Sequence, residues 1–570
     1  MSTQPLGNAE LNGFVAQRIV RCLLATGAQH AVISPGSRNT PIVVALAQAA
    51  ERGQIQLHSV LDERQAGFVG LGLARRSGRP VLLSCTSGTA GAHYLPALAE
   101  ANQLGLPLIA VTADRPDELQ GRGAPQTMDQ VELFGRHVVA ELSLSVSEEW
   151  LQGDRLEESL WRVVHHTCSR RPCQVGPVHL NLRFRKPLWA PNLPRDVSSW
   201  DPPRGTELNY DVAHFSEAFA RIASAKKGIV LAGPREISAS GLAESAVLDF
   251  AQKAGWPVLA EPAAGLRGPG IVHGAEAFLR GPQAFGALRP DCILRIGRSP
   301  TANSVSDWMA GVVGQNTVLV EPTGRLLDGE RLEPLVMKAD PAWAFLHFRT
   351  QPQVTGWLEA WKNAERCALD CLRDPQGDGL WAGSLIPAIG SAMGPGDDLH
   401  VASSMCIRDL GSFARLGKNS PRVSANRGTN GIDGTLSTAV GQVRASGRPT
   451  TVLLGDLAFL HDQGALGLVG DSPLRVIVVD NGGGGIFDHL PIAENTAVFE
   501  PYFLTPHKAD LAAIAGAHGL PVQAVSTLNA LRSALSHFSP GVIHVQVDRV
   551  GDFARHQAYW QAVTAAMFRP

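Results

Sequence analysis

Hydrophobic residues along this chain follow two alternating rhythms. Short runs rich in Val, Ile and Leu, such as HAVISPG, PVLLSCTSG, PLIAVTADRP and GPVHLNLR, end in turn-forming residues. Between them lie longer stretches with apolar residues at helical spacing, such as QAGFVGLGLARRSG and GAHYLPALAEANQLG. Apolar runs bounded by turns predict strands buried on both faces, and their alternation with helices predicts parallel pairing. The rhythm returns in GIVLAGP, WPVLAEP, CILRIG and NTVLVEP, and again in TTVLLGDLAFLHD and LRVIVVDNGGGGIF. A Pro-rich stretch from Lys186 to Asn209 and the interruption QPQVTG between Thr350 and Trp357 break it. The expectation is an α/β chain of three doubly wound parallel-sheet domains, covering residues 1–190, 205–350 and 356–570.

Composition narrows the class. A chain of 570 residues is long enough for several domains, each with its own core. A formal net charge of −2 gives no basic excess for nucleic acid and no acidic tail. No apolar run approaches the roughly 20 residues of a membrane span. The 8 cysteines are scattered; Cys168 with Cys173, and Cys367 with Cys371, lack the paired spacing of a zinc site. Reduced thiols in a cytoplasmic enzyme are expected. The 59 glycines and 38 prolines suit many tight strand–helix turns.

Two of the strand-like runs end in candidate chemistry. One closes on Gly455-Asp456-Leu457, the other on Asp480-Asn481 followed by Gly482 to Gly485. In a parallel sheet both would end at the carboxyl edge, where ligands bind. That places a carboxylate and an amide oxygen beside backbone that has no Cβ to keep a phosphate away. Mg²⁺ prefers such hard oxygen donors and shares them with phosphates. In isolation, an ordinary Asp and a Gly-rich turn would read the same.

The N-terminal third carries four polar turns at strand ends. Ser34-Pro35-Gly36-Ser37-Arg38 precedes a helix, and its N–H groups, hydroxyl and guanidinium form a seat for carboxylate or phosphate. Alone, it reads equally as a capped turn with a surface arginine. Leu61-Asp62-Glu63-Arg64 reads locally as a helix-start charge. Thr86-Ser87-Gly88-Thr89 and Thr112-Ala113-Asp114-Arg115-Pro116 also end strand candidates. Four such turns on one sheet edge favour a site over four separate caps.

Together, SPGSRNTP, LDERQAGFVGLGLA, TSGTA, TADRPDEL, GAPQTMDQ, GPVHLNL, NRGTNGIDG, GDLAFLHD and GGGGIFDHLP resemble one family. It is the 2-succinyl-5-enolpyruvyl-6-hydroxy-3-cyclohexene-1-carboxylate synthases, thiamine-diphosphate enzymes of menaquinone or phylloquinone biosynthesis. The resemblance implies an N-terminal pyrimidine-binding domain, a central domain without cofactor, and a C-terminal diphosphate-binding domain. It also implies a homodimer or homotetramer, with cofactor held between subunits, and Mg²⁺ (or Mn²⁺) as the metal.

Residue by residue, the resemblance makes Glu63 the carboxylate that activates the cofactor's aminopyrimidine as a base. Ile432 becomes the apolar wedge that bends the cofactor. Gly455, Asp456, Leu457, Asn481, Gly483, Gly484 and Ile486 fall where the cofactor binds. Metal ligands would be Asp456, Asn481 and the Gly483 carbonyl. The implied reaction decarboxylates 2-oxoglutarate and adds the succinyl carbanion to isochorismate by 1,4-addition. Two dicarboxylates need fixed cations, and Arg38, Arg115, Arg408 and Arg427 fall in matching segments. Ser37, Gln126 and Ser404 are neutral partners, and Ile486, Phe487 and Leu490 an apolar wall that excludes water. Two positions depart from the family: Asp480 stands where asparagine is expected. Asn303 stands where a lysine would reach the isochorismate carboxylate, and Arg298 lies close by in sequence. A different thiamine-diphosphate decarboxylase or carboligase would share the fold but would not need this arginine-rich pocket. A non-catalytic scaffold would predict the loss of Glu63 or Asp456, and both are present.

Overall fold

The computed structural model describes residues 6–167, 175–191, 200–203, 210–236, 242–312, 316–351, 353–372 and 379–567. Cys168 and Cys173 lie outside these, as do much of the Lys186–Asn209 stretch and Pro352 of the second interruption. The chain resolves into two compact units. One comprises Met1–Leu208 with Gly428–Ser446, the other Asn209–Arg427 with Gly447–Pro570.

The first unit holds strands β1 (His30–Ile33), β2 (Gln56–Ser59), β3 (Val81–Cys85), β4 (Leu108–Asp114), β5 (Ala140–Ser145) and β6 (Val178–Arg183). They pair in parallel in the order β2-β1-β3-β4-β6-β5. Every residue of β3 and β4 is buried, so their unbroken apolar runs are covered on both faces. Leu82, Ile109 and Val111 join a core with Val15, Ile19 and Leu23 of helix Asn8–Ala25. Leu83 and Leu108, on the opposite face by strand alternation, meet helix Glu63–Ser77. Helix Thr435–Ser446, distant in sequence, packs on that same helix. The two cross so closely that a Cβ on Gly72 would overlap the Thr438 carbonyl, and one on Gly441 the Val69 carbonyl. Only glycine permits this approach.

The second unit contains two further parallel sheets. Strands β7 (Gly228–Ala232), β8 (Val258–Ala260), β9 (Ile271–Val272), β10 (Cys292–Ile296), β11 (Asn316–Val320) and β12 (Leu335–Met337) run in the order β12-β11-β10-β7-β8-β9. Their core includes a cluster of Phe250, Trp256, Phe345 and Phe348. Strands β13 (Asp398–Val401), β14 (Arg422–Ala425), β15 (Thr450–Gly455), β16 (Leu474–Asp480), β17 (Val522–Val525) and β18 (Gly541–Gln546) run in the order β14-β13-β15-β16-β18-β17. Three doubly wound α/β sheets are therefore present, as the hydrophobic rhythm predicts. Among the described residues, Cys22, Cys85, Cys292, Cys367, Cys371 and Cys406 are free thiols, and no helix is long and apolar enough to cross a membrane.

Candidate active site

In the first unit the polar turns converge at the carboxyl ends of β1, β3 and β4. A Cβ on Gly36 would overlap the Thr86 side chain, so the Ser34–Arg38 and Thr86–Gly88 turns touch. Arg38 is buried; its N–H donates to Thr86 Oγ1 (3.3 Å) and Nη1 to the Phe184 carbonyl (2.7 Å), leaving Nε without a partner. Burial, and then the neighbouring Arg115 cation, push the Arg38 guanidinium below its ordinary value. The nearby Asp114 carboxylate works the other way and partly offsets this. Arg115 Nη1 donates to Ser87 Oγ (2.8 Å) and Nη2 to the Pro125 carbonyl (3.2 Å) and Gln126 Oε1 (3.5 Å). Gln126 adopts φ +57°, an uncommon conformation for its type, and its Nε2 donates to the Ser87 carbonyl (3.1 Å). Ser37 is exposed beside them.

Glu63 opens helix Glu63–Ser77, whose N-cap Asp62 accepts from Arg64 N (2.8 Å) and Gln65 N (3.4 Å). With Asp62 serving as the cap, the Glu63 carboxylate is left for another partner. Behind it lie Cys85 and Tyr94, both buried; burial foremost, with the Glu63 charge adding to it, pushes both up and keeps them protonated. Half-buried Ile432 lies in a loop pinned by Glu100. This buried carboxylate accepts from Gly428 N (2.8 Å), Thr429 N (2.6 Å) and Thr429 Oγ1 (2.8 Å).

In the second unit, β15 and β16 are parallel neighbours with Gly455 beside Val479, so both motif ends reach one edge. Asp456 is buried. Its Oδ1 accepts from Leu457 N (2.7 Å) and its Oδ2 from Gly483 N (2.7 Å) and His507 Nε2 (3.1 Å). Asp480 accepts from Gly482 N (3.0 Å) and bonds His544 Nε2 (2.7 Å). Asp456, Asp480 and His507 bring ligand atoms within 4.8 Å of one another. Burial, and after it the neighbouring Asp480, push Asp456 up to about 6. Asn481 Oδ1 is buried without a partner. Gly483 has φ +145°, and a Cβ there would overlap the Leu504 carbonyl. An orphaned amide oxygen beside crowded carboxylates is the donor set a hard divalent cation satisfies. The Gly483 carbonyl accepts from Gly485 N (3.0 Å) and keeps a second lone pair. Gly484, Ile486, Phe487 and Leu490 follow in the same loop and its short helix; only Leu490 is exposed among the three apolar residues.

Arg408 and Arg427 also lie in this unit. Arg408 Nη1 donates to the Ser404 carbonyl (2.8 Å), and Arg427 Nη1 to Ser403 Oγ (3.5 Å). Ser404 takes φ +70° at the start of helix Met405–Phe413. Both arginines face Glu261, whose carboxyl is pushed up by burial. Asn303 is exposed in the first turn of helix Asn303–Gly311. The sequence reading did not single out Glu261, His507, His544 or Glu100. Each meets its partner across scores of residues, and no local spacing announces such pairs.

The class is carried by the comparison: residues 14–133 match the family described as "Thiamine pyrophosphate enzyme, N-terminal TPP binding domain", which places the chain among thiamine-diphosphate-type enzymes. Full-length relatives narrow this further. The chain is 36% identical to the 2-succinyl-5-enolpyruvyl-6-hydroxy-3-cyclohexene-1-carboxylate synthase of Myxococcus xanthus, over 98% of this chain and 98% of the relative. The proteins of that name from Renibacterium salmoninarum and Chloroflexus aurantiacus are 36% and 33% identical; the alignments cover 97% and 96% of this chain, and the same shares of the relatives. The chain belongs to the 2-succinyl-5-enolpyruvyl-6-hydroxy-3-cyclohexene-1-carboxylate synthase family.

Proposed function

We propose that this enzyme decarboxylates 2-oxoglutarate and joins the remaining four-carbon unit to isochorismate by 1,4-addition, in the cytoplasm, as a step of menaquinone biosynthesis. Family membership supports the reaction. The observation that carries the substrate class is buried Arg38, whose Nε has no partner and whose charge is opposed by nearby Arg115 and favoured by Asp114. Dicarboxylates relieve the opposition from Arg115, and the guanidinium fork suits them.

When bound, thiamine diphosphate supplies the carbon centre that takes up the acyl group as CO₂ leaves. Glu63 would accept or share a hydrogen bond with its pyrimidine ring, and Ile432 would pack against it as an apolar support. Asp456, Asn481 and the Gly483 carbonyl hold Mg²⁺ (or Mn²⁺), with Gly455, Leu457 and Gly484 lining the diphosphate seat. Arg38, Arg115, Arg408 and Arg427 orient the carboxylates, helped by Ser37, Gln126, Ser404 and Asn303. Ile486, Phe487 and Leu490 exclude water. The domains are proposed at residues 1–190 for the pyrimidine, 205–350 for the central domain and 356–570 for the diphosphate, in a homodimer or homotetramer. Mass spectrometry of the products from 2-oxoglutarate plus isochorismate, with thiamine diphosphate and Mg²⁺, tests the reading. A succinyl adduct of isochorismate is expected. Release of CO₂ with no isochorismate-dependent product would leave a carboligase with another acceptor.

A further inference from the structure

Helix Met405–Phe413 carries Arg408, and neighbouring side chains lock it in place. Asp409, Ser412 and Phe413 share one stripe at i, i+3 and i+4; Asp409 lies about 100° around from Arg408, and Ser412, one turn on, about 40°. Each is engaged. Asp409 Oδ1 meets His556 Nε2 at 3.0 Å, and Ser412 Oγ donates to Glu276 Oε2 at 2.7 Å. The Phe413 ring lies 5.4 Å from the His556 ring. His556, on helix Arg549–Met567, is itself buried, with Nδ1 2.9 Å from the Asp552 carbonyl and 3.5 Å from its carboxylate.

The same imidazole supports a second segment. His489, in the short helix with Ile486 and Phe487, meets the His556 ring edge-on at 5.6 Å and lies tilted 5.5 Å from the Trp560 ring. Trp560 Nε1 donates to Glu276 Oε2 (3.1 Å), and Arg280 lies 3.4 Å over its ring while pairing with Glu276. One buried ring thus touches both the cation-bearing helix and the segment of the apolar wall.

We infer that His556 is a positioning residue for substrate recognition: an imidazolium held between Asp409 and Asp552 fixes the rotation of helix Met405–Phe413 and so the aim of Arg408. This rests on the reading of Arg408 as a carboxylate binder. Although burial opposes its charge, the two aspartates hold His556 up at about 9. His489 is pushed down to about 4, by burial first and then by His556, Arg280 and Arg408, so it stays neutral. The groups facing the clamp are Asp409 and the protonated Cys406 thiol from the Arg408 helix, Asp552 and Arg555 from its own helix, and His489, Arg280 and Arg408. Burial first pushes the Asp552 carboxyl up to about 6, so with His556 raised above its ordinary value the clamp is complete above about 6 and is lost as pH rises through about 9.

The test measures KM for 2-oxoglutarate on the holoenzyme from pH 7 to 10, for the unmodified chain and for His556→Gln, His556→Lys and Arg408→Ala. For the unmodified chain, KM should rise about tenfold as pH passes 9. His556→Gln should carry that rise at pH 7 with kcat and Mg²⁺-dependent thiamine-diphosphate affinity unchanged. A buried lysine cation in His556→Lys should recover part of the loss and move the alkaline limb. A role in stability alone would lower the melting temperature without moving KM. A flat KM from pH 7 to 10 overturns the inference even if the variants fail to fold. So does an unchanged KM in His556→Gln while Arg408→Ala raises it. If Arg408→Ala leaves KM unaltered, the reading of Arg408 itself falls, and the inference with it.

Discussion

Replacing Glu100 by Ala should destabilise the first unit more than any surface change of similar size. The carboxylate is buried and accepts three hydrogen bonds from Gly428 N, Thr429 N and Thr429 Oγ1, at 2.8, 2.6 and 2.8 Å. Truncation strands two backbone N–H groups in a partly buried loop, each costing about 1–3 kcal/mol, and loses the charge-assisted bond to the hydroxyl. Water will satisfy part of this demand, so the net loss should be about 3–5 kcal/mol. For a unit of about 200 residues, roughly 2–4 °C per kcal/mol translates this into a melting point lowered by about 10 °C. Glu100→Gln keeps an acceptor oxygen but turns an NH₂ toward a donor, and should lose about half as much. Differential scanning fluorimetry reads both variants. Hydrogen exchange across residues 428–434 should accelerate in the same order, because this loop leads into Ile432. A drop below about 2 °C in Glu100→Ala, with unchanged exchange, would refute the view that this carboxylate pins the loop.

Glu63→Gln should slow exchange of the thiamine C2 proton by roughly 10²–10⁴-fold, the scale of general acid–base contributions, while the diphosphate still binds; NMR of deuterium exchange measures it, and a wild-type rate would reduce Glu63 to a helix-start charge. Asp456→Ala should abolish Mg²⁺-dependent cofactor binding in calorimetry without unfolding the chain. Because Asp456 is raised to about 6 by burial first and Asp480 next, its contribution to stability is present below the ordinary carboxylate range and lost as pH rises through about 6. The metal-free protein should therefore melt lower at pH 7 than at pH 5, Mg²⁺ should remove the difference, and Mg²⁺ affinity should weaken below pH 6. Asn303→Lys should lower KM for isochorismate about tenfold or more, as a charge-assisted hydrogen bond of roughly 1.5–3 kcal/mol allows, leaving that for 2-oxoglutarate unchanged. If Arg298 already serves that carboxylate, Arg298→Ala will instead raise it.

The sequence exposed the interior of each sheet better than its margins. Strands such as β3, β4, β15 and β16 are covered on both faces and read as unbroken apolar runs. The edges β5, β9, β12, β14 and β17 escaped the hydrophobic rhythm, as did the interior strands β13 and β18, and β2 was marked only by the polar turn at its end. The edge strands are short or half-exposed: β17 runs half-buried, exposed, exposed, buried, and β2 has one buried residue. An edge strand bonds one neighbour and packs less, so its sequence carries less of the signal. At the site, strand-end motifs were legible because their residues are consecutive. The Asp456–His507 and Asp409–His556 pairs were not, being assembled by topology alone.

Helix Thr435–Ser446 completes the first unit although the whole stretch from Arg183 to Thr435 separates it from the last strand of that unit's sheet. During synthesis, helix Glu63–Ser77 will therefore wait for its covering helix until residue 446 has emerged. At about 5–20 residues per second, that delay is roughly 20–70 s. Throughout it, the glycine-lined groove at Gly72, and Phe68 where the chain before Thr435 should rest, stay open to water and to other nascent chains. A fragment ending near residue 208 would carry this exposed groove permanently. Attempts to produce the N-terminal unit alone should give aggregates unless residues 428–446 are supplied with it, either fused or as a peptide.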